Sequence, residues 1–210
     1  MARMNLNLSS LRANSGYVER WLDDASPPVR SVEFGTFSEL WCQAQFYRVA
    51  VVECSEDLRA FTCVWRRYLE HTEQFEIRSA HLDLFLASFT ANTGYGKAAV
   101  FEPLTEALWI KETSLVTEGI RKELAEVRRG QRLVHGKRVQ IPEGPLDLGN
   151  TDSYWGIFED RQRLPDSSTF EFLAPEAFAD GVAIRREWND QQLFIKTTSE
   201  YVLFVWGTGA

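Results

Sequence analysis

Seven acidic and aromatic side chains crowd into one stretch of this sequence: Asp147, Asp152, Tyr154, Trp155, Phe158, Glu159 and Asp160. Large rings beside carboxylates suit recognition better than bond-breaking, because rings anchor in a partner's pockets while carboxylates meet its cations. These residues fall within 142–167, a run rich in Pro, Gly, Asp and Ser. That is longer than the limit of about 15 residues usual for a structureless connection, and long loops commonly carry function. The competing reading has Trp155 and Phe158 pinning the loop to the core while its acids are solvated.

A second grouping has the opposite sign. Residues 121–138 hold seven basic side chains against two acidic ones. Arg128, Arg129, Arg132, Lys137 and Arg138 come together where a helix is expected to end and a hairpin to begin. Guanidinium groups grip carboxylate or phosphate in bidentate fashion, so the cluster is a candidate anion site. Cations at a helix C-terminus also simply complement its dipole.

Other chemistry is poorly supported. His71, His81 and His135 are the chain's three histidines. His71 with Glu73 offers two metal ligands, but neither an H-E-x-x-H pattern nor paired cysteines complete a site. Cys42, Cys54 and Cys63 are odd in number and lack a C-x-x-C pair. Buried, reduced thiols are expected of them rather than a disulfide framework. No G-x-S-x-G elbow supplies a nucleophile, and Gly94-Tyr95-Gly96-Lys97 lacks the spacing of a phosphate loop. Neither catalytic residues nor a metal or cofactor are expected.

Composition sets the frame. With 44% hydrophobic and 25% charged residues over 210 positions, the chain is an ordinary globular protein able to bury a full core. Its net charge of -7 argues against general binding to nucleic acid or to an anionic membrane. No apolar run suggests a signal peptide or a membrane span, so a cytoplasmic location is expected.

The elements that must position the candidate residues follow from periodicity. Residues 1–28 read as an N-terminal arm with a short helix from Ser15 to Asp23, stopped by Pro27 and Pro28. Residues 29–130 read as mainly helical. Thr36 and Glu39 form a capping box before Phe37, Leu40, Trp41 and Ala44 at helical spacing. A buried strand is expected over Tyr47–Glu53, a helix over Glu56–Glu70, and another from Ser79 through Phe89. Pro103 suits the first turn of a long helix reaching Val127.

Residues 131–210 read as mainly strand. A hairpin is expected around Gly136-Lys137, with Val134 facing Val139. Thr169–Leu173 and three antiparallel segments follow: Val182–Trp188, alternating in character, then Gln192–Thr197 and Tyr201–Trp206. The last is apolar throughout and should lie centrally, covered on both faces. The expected class is α+β in one domain, helices from the first part packing on a mainly antiparallel sheet from the rest.

One segment invites comparison with a known family. Asn150-Thr151-Asp152-Ser153-Tyr154-Trp155-Gly156 resembles the D-x-x-W-G segment of the YbiA-like (NADAR) N-glycosidases, and Gln43-Ala44-Gln45-Phe46 resembles their glutamine-alanine helix. The glycine-rich N-R-L-G that should follow Gly156 is missing. The resemblance implies an N-glycosidase acting on phosphoribosyl or ADP-ribosyl compounds. A competing expectation is accordingly an enzyme on a nucleotide or sugar phosphate, using the Arg128 to Arg138 cluster for phosphate and Asp152 as an acid or general base. Composition favours a different reading: a binding protein of the inhibitor or immunity type, taking a basic protein partner through residues 147–160. A third expectation is an assembly subunit docking through Tyr17 and Trp21.

Overall fold

The computed structural model describes residues 4–24, 27–37, 41–71, 82–90, 98–114, 118, 131–134, 137–140, 156–159, 162–163, 178–188 and 190–208. Helices α1 (Leu8–Ala13), α2 (Ser15–Asp23), α3 (Asp57–His71) and α4 (Leu82–Thr90) are joined by α5, helical at 106–114. The strands are β1 (Arg30–Phe37), β2 (Trp41–Ala50), β3 (Glu102–Pro103), β4 (Gln131–Val134), β5 (Lys137–Gln140), β6 (Gly156–Glu159), β7 (Gln162–Arg163), β8 (Phe178–Arg186), β9 (Asp190–Thr197) and β10 (Glu200–Thr208). The fold is α+β: eight strands form one sheet in the order β3-β8-β9-β10-β2-β1-β6-β7, and β4 and β5 pair separately. Every described pairing is antiparallel.

Alternation along the central strands feeds two cores. Tyr201, Leu203 and Val205 of β10, Phe194 of β9 and Tyr47 and Val49 of β2 join a core with Leu11, Val18, Leu22, Phe61, Val64, Trp65, Phe85 and Phe89 from α1 to α4. Val202 and Phe204, Leu193 and Ile195, and Ala44 and Phe46 form the core of the other face with Leu104 and Trp109. A strand buried on both faces must be apolar at every position. The expectation for β10 is met: Tyr201 to Val205 are all buried, between β9 and β2.

Several readings of the sequence change. The helix expected from Thr36 to Ala44 is instead the end of β1 and the start of β2, a hairpin pairing Thr36 with Cys42. A helix cap is worth about 1 kcal/mol. Burying an aromatic or aliphatic side chain contributes about 1.5–3 kcal/mol, and pairing β2 between β1 and β10 buries Phe46, Tyr47 and Val49 together. Long-range pairing therefore outweighs the cap. Beyond Ala50 the expected strand turns away, leaving Val52 94% exposed.

Pro103 lies in the edge strand β3, where a missing N–H costs nothing, rather than in a helix. Thr105 opens α5: its carbonyl accepts from Trp109 N at 2.9 Å and its hydroxyl from Leu108 N at 3.3 Å. The β4–β5 hairpin forms, but Val134 pairs with Lys137 and Arg132 with Val139. Glycine serves either place of a two-residue turn, so composition leaves the register uncertain by one residue. Strand β8 does not alternate: Gly181 to Arg185 are all buried.

The N-terminal arm is part of the body. Asn7 and Ser10 close a reciprocal capping box on α1, and Met4, Leu6 and Leu11 are buried in the core shared with α3. Helix α2 covers its expected span, with Val18 and Leu22 inward. The strand expected at Thr169–Leu173 and the helical reading of 119–127 lie outside the described residues.

Candidate functional site

Of the acidic aromatic set, Phe158 and Glu159 fall in the sheet. Strand β6 sets them opposite Glu33 and Val32 of β1 on one side and opposite Arg163 and Gln162 of β7 on the other. The stretch read as loop from 142 to 167 therefore contains two strands, each too short for a periodic signal. Asp147, Asp152, Tyr154, Trp155 and Asp160 lie outside the described residues, as do Arg128 and Arg129. Arg132, Lys137 and Arg138 share the β4–β5 ribbon, a sheet separate from the one that holds Phe158.

The described side chains bring together a different set. A groove of about 280 Å³ is lined by Asp24, Pro27, Pro28 and Val29 on one side and by Cys63, Arg66, Arg67 and Glu70 of α3 on the other. Residues 63, 66, 67 and 70 recur at helical spacing, which places them on one stripe of α3. Arg66 Nε donates to the Glu70 carboxylate at 2.6 Å and its Nη1 to the Asp24 carbonyl at 3.0 Å. Arg67 approaches Glu70 at 3.6 Å. The Asp24 carboxylate pairs with Arg59 at 3.3 Å. The groove is thus walled by matched ion pairs with an apolar Pro-Pro-Val side.

Burial pushes the Cys63 thiol in that wall up to about 12. Cys54 is raised too, again chiefly by burial, and both are free thiols. A thiol held protonated is a poor nucleophile. These two cysteines pack as small hydrophobes, as expected for them.

A second set crosses the sheet under the end of α3. Val205 of β10 pairs with both Gln45 and Gln192, and Gln192 pairs with Arg185, so three buried polar residues stand in one row over four strands. Arg185 donates to Gln192 Oε1 at 3.0 Å and to the Ser88 carbonyl at 2.8 Å, while Trp65 Nε1 donates to Ser88 Oγ at 2.9 Å. Tyr47 donates to Gln45 Oε1 at 3.1 Å. Gln192 reaches the Tyr68 hydroxyl at 3.4 Å. Desolvation, followed by the Asp190 charge, drives Tyr68 to about 12. Desolvation also raises Asp190, against the pull of Arg185. Perturbed groups of this kind mark functional sites and structural networks alike. The hydrogen bonds here tie α3, α4 and the sheet together, which is structural work.

Two more clusters fix the far end of β10. Arg30 and Arg48 both pair with Glu200, whose side chain is 10% exposed. Asp57 accepts from Tyr201 and Lys196. Sequence reasoning missed Arg66, Glu70, Arg185 and Gln192. Their signal was a polar residue on an apolar stripe of a helix or strand, visible in the sequence but silent about its partners.

Among the described residues no three of His, Cys, Asp and Glu gather as a metal site. None of the described helices is long and apolar enough to cross a membrane. Gln43 to Phe46 lie in β2, so the helix implied by the N-glycosidase resemblance is not there. No protein-family model, curated protein or solved structure matches the chain.

Proposed function

We propose that this chain is a protein-binding module of the inhibitor or immunity type, taking a basic partner through the stretch from Asp147 to Asp160. The observation that carries the reading is the pairing of β6 with β1, which fixes the Phe158 end of the stretch against the outer part of an eight-stranded sheet. Backbone held in a strand, as it is at Gly156–Glu159, loses less entropy on association than a free loop. The fourteen residues from Asp147 to Asp160 hold four carboxylates and no Lys or Arg. Those four carboxylates concentrate part of the chain's net charge of -7 in one place, and their field would steer a cationic partner toward it.

Affinity capture from the native cell tests this directly, with Trp155→Ala and Asp152→Asn beside the unaltered chain and Glu19→Gln on α2 as a control. The expected result is a basic protein retained by the unaltered and control chains, lost on Trp155→Ala, and eluted by salt. An identical set of captured proteins from all four would overturn the proposal.

A further inference from the structure

No further inference is drawn: the strongest candidate, the groove of about 280 Å³ lined by Asp24, Pro27, Pro28 and Val29 and by one stripe of α3, carries nothing because Glu70 and the Asp24 carbonyl already engage Arg66, Arg67 approaches the same Glu70, and nothing in the structure shows what would fill it.

Discussion

Tyr201 donates its phenolic hydroxyl to the Asp57 carboxylate at 2.6 Å, which ties the central strand β10 to the first turn of α3. The same carboxylate oxygen accepts from Lys196 Nζ at 2.9 Å, and that ammonium lies 4.9 Å from the Tyr201 ring centre. Tyr201→Phe keeps the ring and removes the bond. A hydrogen bond to a charged group is worth about 1.5–3 kcal/mol when buried. Asp57 is partly exposed, so urea denaturation should show a loss nearer about 1–2 kcal/mol. Stability unchanged in Tyr201→Phe would mean that Lys196 alone holds Asp57.

Alkaline pH should loosen the same region. Cys63 has an ordinary value of 9.0, and Tyr68 and Tyr201 of 10.0, yet the fold holds all three protonated to about 12. Burial is the first cause for each; at Tyr201 the bond to Asp57 adds to it. Raised values mean that the unfolded chain releases these protons first. Their stabilisation is complete below pH 9 and disappears as pH climbs to about 12. Denaturation midpoints should therefore fall across that interval, and Cys63→Ala should remove the earliest part of the fall. A midpoint that stays level would contradict the assignment.

The pairing of Glu200 with two arginines predicts an asymmetry. The Arg48 side chain is 11% exposed, whereas Arg30 is 57% exposed. Removing one partner of a buried pair costs about 3–5 kcal/mol, because the other charge stays buried alone. Glu200→Gln should approach that cost, whereas Arg30→Ala should lose under about 1 kcal/mol. The double variant Arg48→Met/Glu200→Leu should recover much of the loss. Equal effects of Arg30→Ala and Glu200→Gln in guanidinium unfolding would refute this account.

Gly181 sits where β8 presses on β9. A Cβ there would meet Ile195 Cγ2 and the Phe194 carbonyl oxygen at 3.0 Å and Phe178 Cε2 at 3.1 Å. The carbonyl belongs to a paired strand and cannot yield, so Gly181→Ala should cost about 1–3 kcal/mol by overpacking. Thermal unfolding of this one variant is sufficient to check it.

Phe101 holds a φ of 52°, a region that suits glycine. Its ring lies 5.5 Å from Phe89 and 6.3 Å from Phe61, and those contacts hold the strained backbone in place. Phe101→Ala loses the ring and keeps the strain, while Phe101→Gly loses the ring and releases it. Glycine should therefore be the milder change by about 1 kcal/mol, the reverse of the order at an ordinary position. Alanine proving milder would show that the φ is not maintained in solution.

The legible parts of this fold were those whose pattern was long and local. Helix α3 carries Phe61, Val64, Trp65 and Leu69 inward over fifteen residues, and β10 is apolar without a break from Tyr201 to Trp206; both stand where periodicity put them. The β1–β2 hairpin was hidden because its apolar residues fit helical spacing as well as strand spacing, and its deciding contact is with β10 far along the chain. Strand β6 gave no signal since four residues contain too few alternations to register. At the site level, composition exposed the acidic aromatic stretch. It could not show that Gln45, Gln192 and Arg185 fall in one row, because a row across strands is a property of register and not of neighbours in sequence.

The seam between β2 and β10 has a kinetic meaning. Arg48 and Glu200, which meet there, stand 152 residues apart in sequence. Closing so wide a span is entropically costly before any contact repays it, so refolding should take milliseconds to seconds, as for other sheets dominated by distant pairings. Until the seam forms, a greasy hairpin waits with both sides bare, and crowding the refolding mixture should divert molecules into aggregates. The same logarithmic dependence of closure on span means that insertions in the intervening chain would slow the search only slightly.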